Sequence, residues 1–252
     1  MADLNGKRAL VTGGSRGIGA EIVRRLAQAG AQVAFTYAGG KQEAEALAAE
    51  LGDRVSVHQV DIRSTEAVKA LFAQIDARFG GTPNLDILIN NAGYGSDGVS
   101  STALGDTQEE QFDRVFDTNV KGTFFVSQAA MPRITDAGRV VHIGSVAGRG
   151  AQVPSAAYAM SKTAMQSLTW SMATALANRQ ITVNTIAPGA VDTDFIARLR
   201  AIPGWDEAVK KSTPFGRLGT PEDIAGAVMM LLGPDAGWVT GQIIEASGGL
   251  RL

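Results

Sequence analysis

The chain contains no cysteine and only two histidines among its 252 residues. The lack of cysteine excludes disulfide bonds, thiolate metal sites and cysteine nucleophiles. His58 and His142 both fall in strand-like runs, and neither has a partner at metal-ligand spacing. A place in the core or on the surface is therefore expected for both, rather than metal binding or base catalysis. We predict no metal site.

The sequence also lacks a strong charge of either sign and a long apolar span. Its 23 basic and 25 acidic residues leave a net charge of −2, which argues against nucleic acid or anionic membranes as partners. No apolar run is long enough to cross a bilayer, and no signal-peptide pattern follows Met1. We therefore expect a soluble, cytoplasmic protein that binds neither nucleic acid nor membranes.

Linkers, repeats and low-complexity segments are absent too, and a regular alternation of strand-like and helix-like segments takes their place. Because 45% of the residues are hydrophobic, the chain can bury a sizeable core, and we expect one domain over residues 1–252. The expected strands are Arg8–Thr12, Gln32–Tyr37, Val55–Val60, Leu85–Asn90, Arg139–Gly144, Thr182–Ala187 and Gln242–Ala246. Their continuous Val/Ile/Leu character is typical of parallel strands covered on both faces. The predicted fold is α/β: a Rossmann-like, doubly wound, seven-stranded parallel sheet with helices on both faces.

A glycine-rich segment follows the first predicted strand directly. It reads Val11-Thr12-Gly13-Gly14-Ser15-Arg16-Gly17-Ile18-Gly19-Ala20 and leads into a helix predicted at Ala20–Ala29. A strand, a glycine turn and a helix in this order are typical of a site where backbone NH groups bind a pyrophosphate. The segment lacks the Gly-Lys-Ser/Thr of a P-loop, so nucleotide hydrolysis is disfavoured. A turn that merely closes a strand is the alternative.

Tyr158 and Lys162 are four residues apart and would lie on one helix face, with Ser145 thirteen residues upstream of the tyrosine. A cation beside a phenol stabilises the phenolate, so we expect Lys162 to lower the pKa of Tyr158 towards the working range. Ser145 could hold a carbonyl oxygen while the tyrosine gives or takes a proton. By itself the Tyr-x-x-x-Lys pattern is more often a pair of surface residues. A hydrolase is disfavoured because Ser145 follows Gly144 directly and so does not form a Gly-x-Ser-x-Gly elbow.

Together these motifs resemble those of the short-chain dehydrogenase/reductase family over the whole chain. The matching residues are Thr12-Gly13-x-x-x-Gly17-x-Gly19, Asp61-Ile62, Asn90-Asn91-Ala92-Gly93, Asn119, Ser145, Tyr158-x-x-x-Lys162, Pro188-Gly189 and Val191-x-Thr193. Within the family, the chain is most similar to the bacterial ketone and 3-oxoacyl reductases.

The resemblance implies hydride transfer between nicotinamide and a substrate carbon, with Asn119, Ser145, Tyr158 and Lys162 as the catalytic residues. Ser145 and Tyr158 would hydrogen-bond the substrate oxygen, and Tyr158 would deliver the proton. Lys162 would also hold the nicotinamide ribose. Asn119 resembles the asparagine whose bent helix backbone holds a water linked to that lysine.

The same resemblance implies a set of cofactor-binding residues along the chain. They are Gly13, Ser15, Arg16, Gly17, Ile18, Gly19, Thr36, Tyr37, Lys41, Asp61, Ile62, Asn91, Ala92, Gly93, Tyr158, Lys162, Pro188, Gly189, Val191 and Thr193. Asp61 would meet the adenine amino group, with Ile62 beside the ring. Pro188-Gly189 would form the wall behind the nicotinamide, and Thr193 would contact its carboxamide or the diphosphate.

The end of the second strand favours NADP(H) over NAD(H). Enzymes of this fold that bind NAD place an acid there, to accept from the ribose 2′-OH. Here no acid occurs before Glu43, whereas Arg16 and Lys41 could approach from either side. A 2′-phosphate suits such surroundings, with Thr36 and Tyr37 at the strand end. The alternative is that Arg16 is merely solvated and cofactor choice is loose.

The segment from about 192 to 220 is predicted to form a lid over a substrate pocket. Its large apolar residues are Phe195, Ile196, Leu199, Ile202, Trp205, Val209 and Phe215, and Pro203-Gly204 offers a break between two short helices. Half of these residues could instead pack on the core. Further wall candidates are Tyr94, Arg149, Gln152 and Val153. A mostly apolar ketone of moderate size is the expected substrate.

Small residues crowd the helix that carries Tyr158, and relatives use this helix and the Asn119 helix as a dimer interface. We therefore expect a homodimer or homotetramer, although Ala173-Thr174-Ala175 replaces the charged Ala-Arg-Glu that is common there. The favoured function is an NADPH-dependent carbonyl reductase. An alcohol dehydrogenase that works in oxidation and a non-catalytic NADP(H)-binding sensor or scaffold are the alternatives.

Overall fold

Seven strands form one parallel sheet in the computed structural model, which describes residues 3–95, 104–150 and 155–250. The strands are β1 (Arg8–Thr12), β2 (Gln32–Tyr37), β3 (Val55–Gln59), β4 (Leu85–Asn90), β5 (Ile134–Ile143), β6 (Thr182–Pro188) and β7 (Ile243–Ala246). They lie in the order β3-β2-β1-β4-β5-β6-β7. The order reverses between β1 and β4, and ligands of such sheets bind outside the carboxyl ends at this point.

Helices cover both faces of the sheet. They are α1 (Gly17–Gln28), α2 (Lys41–Leu51), α3 (Thr65–Phe79), α4 (Glu109–Phe116), α5 (Thr123–Ala130), α6 (Ala156–Leu176), α7 (Ala197–Arg200), α8 (Trp205–Ser212) and α9 (Pro221–Met230), with a π-helical turn at Asp117–Gly122 between α4 and α5. One buried cluster joins the sheet to α1, α2 and α9, and another joins it to α3, α5 and α6. The doubly wound fold predicted from the sequence is confirmed.

The element boundaries differ from the predictions in ways that have physical causes. The first helix starts at Gly17 rather than Ala20, because the glycines form its first turn instead of a loop before it. Strand β5 starts at Ile134, five residues earlier than predicted, and its pairing with β4 shifts register between Leu85 and Ile87. Such an irregularity interrupts the apolar pattern on which strand prediction relies.

Strand register aligns four buried polar residues at the carboxyl ends of the central strands. Thr12 of β1 pairs with Asn90 of β4, Asn90 with His142 of β5, and His142 with Thr185 of β6. The segments that follow these strands therefore leave the sheet side by side. They carry the glycine-rich turn, Asn91–Gly93, Ser145 and Gly189, so the fold brings the predicted site residues to one edge.

Candidate functional site

The glycine-rich turn after β1 is held by hydrogen bonds from two neighbouring strands. Gly13 N donates to Thr36 Oγ1 at 3.2 Å, and Gly14 N donates to Thr36 O at 2.8 Å. From the other side, Asn91 Nδ2 donates to Thr12 O at 3.0 Å and to Gly13 O at 2.7 Å. The turn therefore has its shape before any ligand binds.

Close backbone approaches explain why glycine occupies this turn. A Cβ on Gly19 would overlap the carbonyl oxygen of Gly13, and Gly13 itself has φ +65°. Helix α1 then begins at Gly17, with no acidic residue in its first turn and no side-chain hydrogen bond at its N-cap, Arg16. Free amide groups and the positive end of the helix dipole therefore meet an open groove, which fits a pyrophosphate.

The end of β2 is buried more deeply than the sequence suggested. Thr36 and Tyr37 are 1% and 7% exposed, and the Thr36 hydroxyl already holds the glycine turn. Cofactor binding by Thr36 and Tyr37 stays a prediction, and the Thr36 hydroxyl is already engaged with Gly13 N. Ala38 is the first exposed residue after the strand, and it lies next to the buried Tyr37.

Charged groups around this strand end are mixed. Arg16 is exposed, and its guanidinium makes no ion pair with the described residues, whereas Lys41 pairs with Glu45 at 3.6 Å on an exposed face. A Cβ on Gly40 would lie 3.1 Å from Glu43 Oε2 and 3.7 Å from Ser15 Oγ. A carboxylate thus lies nearer to the glycine turn than the sequence indicated.

The predicted adenine contact, Asp61, is half-exposed beyond the end of β3 and forms an ion pair with Arg63 at 2.6 Å. That guanidinium lowers the pKa of Asp61 below its usual range, so the carboxylate is charged at neutral pH. Ile62 is buried, and a Cβ on Gly122 in the π-helical turn would lie 2.8 Å from its Cγ1. The two neighbours thus face different surroundings.

Tyr158, Lys162 and Ser145 meet beyond the carboxyl end of β5. Tyr158 and Lys162 lie on α6, and Ser145 is the second residue after the strand. The Lys162 ammonium is buried, donates to Ile143 O at 2.9 Å and lies 5.7 Å from the centre of the Tyr158 ring. The sequence did not reveal this strand-end carbonyl as the partner of the lysine, because a backbone acceptor has no residue signature.

Burial dominates the titration of both groups. It raises the pKa of Tyr158 to about 12, although a hydrogen bond with Ser145 acts in the opposite direction. It also lowers the pKa of Lys162 to about 8. The pKa of Tyr158 thus lies above its usual value rather than below it as predicted, because burial outweighs the groups that stabilise the phenolate. Tyr158 carries its proton at neutral pH.

Asn119 lies in the π-helical turn, where the sequence predicted a bent helix. Its Oδ1 accepts from Tyr94 N at 2.8 Å, and its Nδ2 donates to Tyr94 O at 2.8 Å and to Ser161 Oγ at 2.9 Å. A Cβ on Gly93 would lie 3.5 Å from Asn119 Oδ1 and 3.6 Å from Lys162 Nζ. The asparagine and the lysine therefore converge on Gly93.

The segment after β6 crosses back to the glycine-rich turn. Gly189 passes so close to Ser247 that a Cβ would lie 3.1 Å from its Cα, and Val191 bridges to Gly219. A Cβ on Gly17 would lie 3.2 Å from the Thr193 methyl carbon. Thr193 therefore lies at the N-terminus of α1, as a contact to a diphosphate requires.

The predicted lid consists of α7 and α8, with Gly204 in the left-handed region between them at φ 78°. The Phe195 ring lies 6.1 Å from that of Tyr158. Ile196 is buried, while Ile202 and Phe215 are 53% and 74% exposed. Arg200 links the start of the segment to the first turn of α8 by ion pairs with Asp192 and Asp206, beside an open cavity of about 530 Å³.

Gly95 is a site residue that the sequence analysis missed. A Cβ on it would overlap the Tyr158 ring and lie 3.1 Å from Phe195 Cζ. Among the wall candidates, Tyr94 stacks with the Arg114 guanidinium at 4.5 Å, and Arg149 pairs with Glu245 at 3.1 Å. Gln152 and Val153 lie outside the described residues. A second glycine two residues after Gly93 was the available signal for the close approach.

The fold and the site together are those of an α/β oxidoreductase. The glycine-rich turn after β1 (residues 13–19), which we call the glycine cradle, lies beside Tyr158, Lys162, Ser145 and Asn119. A family model described as "Enoyl-(Acyl carrier protein) reductase" matches residues 13–251. The chain is 38% identical to an uncharacterized oxidoreductase of Methylorubrum extorquens, over the full length of both. It is 37% identical to 3-oxoacyl-(acyl-carrier-protein) reductase FabG of Vibrio cholerae, over 99% of each.

Solved structures agree with these relatives. A short-chain dehydrogenase/reductase from Serratia marcescens superposes with a TM-score of 0.91 at 40% identity, over 99% of this chain and 100% of that one. A blue fluorescent protein from a metagenomic library, solved with NADPH, gives 0.90 at 38% identity over the same shares. The chain belongs to the short-chain dehydrogenase/reductase family. It is an oxidoreductase of a family that binds nicotinamide cofactors and acts on CH–OH or C=O groups of small molecules.

Membrane-spanning helices and clusters of metal ligands are both absent from the described residues. No helix there combines the length and apolarity that a bilayer span requires. Within the same ranges, no group of three or more His, Asp or Glu side chains is placed to hold a metal ion.

Proposed function

We propose that the chain is an NADPH-dependent carbonyl reductase that reduces a mostly apolar ketone, with Tyr158 as the proton donor. One observation carries the proposal. The hydrogen-bonded Tyr158–Ser145 pair, the buried Lys162 and the π-turn Asn119 meet at the same sheet edge as the glycine cradle. When bound, NADPH supplies the hydride for the substrate carbon.

The state of Tyr158 supports reduction over the alternative of alcohol oxidation. Burial raises the pKa of Tyr158 to about 12, so the phenol carries the proton that an alkoxide needs. Oxidation would instead begin with the phenolate as base. Ser145 and Tyr158 both place hydroxyl groups where negative charge develops on the substrate oxygen, and such donors stabilise that charge.

Lys162 acts after the proton has left the tyrosine. Burial lowers the pKa of Lys162 to about 8, so the ammonium is mostly protonated at pH 7. It lies 5.7 Å from the centre of the Tyr158 ring and therefore stabilises the phenolate left behind. Asn119 keeps the turn beside the lysine in place through its two hydrogen bonds to Tyr94.

The cofactor-binding roles that we propose for individual residues depend on the geometry of the glycine cradle. The free amides at the start of α1 would hold the pyrophosphate, with Thr193 across from Gly17. Arg16 is the exposed cation nearest to this turn in sequence and favours a 2′-phosphate. The NADPH complex of the metagenomic relative supports the same choice. Glu43 acts against it, so the preference for NADPH should be marked but not absolute.

The substrate pocket is proposed to lie under the lid from about 192 to 220. Phe195 and Gly95 both lie close to the Tyr158 ring. An apolar ketone would pack against the Phe195 ring. The similarity to 3-oxoacyl-(acyl-carrier-protein) reductases makes a 3-oxoacyl thioester one member of the panel to be tested.

The test is a panel of ketones, 3-oxoacyl thioesters and alcohols, followed by the nicotinamide absorbance with NADPH and NADH at two pH values. Reduction of an apolar ketone with NADPH, abolished in Tyr158→Phe, supports the proposal. Turnover only with alcohols would establish the oxidising alternative. NADPH binding without turnover of any compound would establish the sensor alternative.

We also propose that the protein works as a homodimer or homotetramer. On α5 and α6, Phe124, Met160 and Trp170 are 46%, 53% and 52% exposed, which is unusual for large apolar side chains on a single subunit. Light scattering after size exclusion measures the mass directly. Trp170→Glu should shift an assembly built on α6 towards monomers, with the exposed Trp238→Glu as a comparison on a different surface.

A further inference from the structure

His142 is a buried titratable residue that the mechanism above does not use. It is 0% exposed and is the second-last residue of β5. Since side chains alternate along a strand, it shares the sheet face of Val140, which packs in the cluster with α3, α5 and α6. The ring therefore lies on the side of the sheet that the catalytic helix α6 covers.

The contacts of His142 specify its protonation. Asn90 Nδ2 lies 3.1 Å from His142 Nδ1 and also donates to Ser127 Oγ at 2.9 Å. An amide nitrogen only donates, so with the amide in this orientation Nδ1 is the acceptor and the neutral ring carries its proton on Nε2, which like Asn90 Oδ1 is buried without a hydrogen-bond partner among the described residues. A protonated ring would place two donors face to face and break this contact.

The residue after His142 seats the catalytic lysine. Ile143 O accepts from Lys162 Nζ at 2.9 Å, and Ser145 follows two residues later. Two of the four proposed catalytic residues thus depend on where β5 ends. The contact with Asn90 fixes that end against β4, one peptide before the carbonyl that Lys162 uses.

Lys162 is the charge that acts on His142. The groups that face the ring from β4, β6 and α5 are Asn90, Thr185 and Ser127, which are uncharged. Burial and the Lys162 ammonium together lower the pKa of His142 to about 4. The ring is therefore neutral over the working pH range, and its neutrality avoids a second buried cation beside the lysine.

We propose that His142 is a positioning residue for the reaction: its neutral ring, tied to Asn90, fixes the end of β5 and thereby the Ile143 carbonyl that seats Lys162. The role rests on the proposed carbonyl reduction, because Lys162 serves that reaction. It requires an acceptor at the place of Nδ1 and the absence of charge there.

The first experiment needs neither substrate nor cofactor. The chain has only two histidines, so ¹⁵N spectra of histidine-labelled protein show two imidazoles, and His58→Asn assigns them. We expect His142 as the Nε2–H tautomer, neutral down to about pH 5, and we expect Lys162→Met to raise its pKa. A His142 ring that titrates identically with and without Lys162 would overturn the proposed proximity.

The second experiment is kinetic. His142→Leu removes the acceptor and should lower kcat at neutral pH on the order of tenfold to a hundredfold, the scale of small misplacements at a site. The ketone KM should change much less. His142→Asn restores an acceptor near the place of Nδ1 without a titrating ring. It should recover most of kcat and remove the loss of kcat that we expect for wild type below about pH 5.

His58→Asn is the matched control, since His58 bonds Ser56 and Gln74 on β3 and α3, away from Lys162. It should leave kcat and its pH profile unchanged. Wild-type kcat in His142→Leu, or an acid loss retained in His142→Asn, would overturn the proposal. If wild type reduces no ketone, the reductase assignment fails, and the spectroscopic coupling between His142 and Lys162 then decides the positioning claim alone.

Discussion

The glycine cradle and the lid meet at the same edge of the sheet but are built differently. The cradle is fixed by groups on and just after adjacent strands: the buried Thr12 and Thr36 and the half-buried Asn91 hold the turn by hydrogen bonds of 2.7–3.2 Å. Within the lid, the exposed Arg200 forms ion pairs with two exposed or half-exposed carboxylates, Asp192 and Asp206. The lid contacts the body through the buried Ile196 and a hydrogen bond from Phe215 N to Gly248 O at 3.2 Å. Exposed ion pairs contribute little to stability, typically about 0–1 kcal/mol.

The glycine cradle is therefore preorganised, whereas the lid can adapt. A cradle whose amides are already oriented binds a constant group, the pyrophosphate, without a further cost in ordering. A weakly held lid can open for substrates of different shape. Substitutions in the cradle or at the strand ends should therefore act on chemistry and cofactor, and those in the lid on the substrate KM.

The largest effect is expected at Tyr158, which belongs to the preorganised part of the site rather than to the lid. Tyr158→Phe removes the proposed proton donor and should lower kcat roughly 10²–10⁴-fold. The NADPH dissociation constant, measured by fluorescence titration, should change little, because the phenol does not hold the dinucleotide. Near-normal turnover in this variant would show that another group delivers the proton.

Ser145 should come next. Ser145→Ala removes one donor to the developing alkoxide, a loss of about 2.7–4 kcal/mol where such a donor is critical. The thermal midpoint should stay close to that of wild type, since the side chain is only partly buried. A fall in kcat/KM of less than threefold would make Ser145 structural.

The free energy of unfolding should fall in acid by an amount comparable to the loss expected for Ser145→Ala, and this can be measured without any ligand. The pKa of His142 falls from its usual value of 6.5 to about 4 on folding, so the unfolded chain binds a proton that the folded chain refuses. Stability is therefore full above pH 6.5 and is lost as pH falls towards 4. This loss amounts to about 3 kcal/mol. Denaturant titrations across this range should show it in wild type and less of it in His142→Asn. If the free energy of unfolding depended on pH equally in wild type and in His142→Asn, the burial of a neutral ring would be contradicted.

Cofactor choice should respond at the rim of the cradle. Arg16→Ala should weaken NADPH by about 1.5–3 kcal/mol, the scale of a hydrogen bond to a charged group, and leave NADH nearly unchanged. Ala38→Asp, at the first exposed position after β2, should shift the preference towards NADH. Glu43→Gln should strengthen NADPH. Equal kcat/KM for both cofactors in wild type would show that Arg16 does not select the phosphate.

What the sequence could predict differs between backbone features and the surroundings of single side chains. Glycine spacing and strand character predicted the fold and the edge at which the site residues meet, because both follow from backbone constraints. The surroundings of individual side chains could not be predicted. The hydrogen bond by which the Thr36 hydroxyl holds the glycine-rich turn and the one by which Lys162 Nζ binds Ile143 O were not foreseen. Such partners depend on depth and register, which residue patterns do not encode.

The smallest effect is expected in the lid. Phe195→Ala removes the ring beside Tyr158 against which the ketone would pack, and such a contact at the scale of an aromatic pair is about 0.5–1.5 kcal/mol. The KM for an apolar ketone should therefore rise several-fold while the NADPH dissociation constant and kcat stay nearly constant. Phe215→Ala is the matched control, since that ring is 74% exposed and should be nearly neutral for KM and stability. An equal rise in KM for both variants would mean that the lid acts as a whole, whereas a loss of NADPH affinity in Phe195→Ala would show that lid and cradle are not separate.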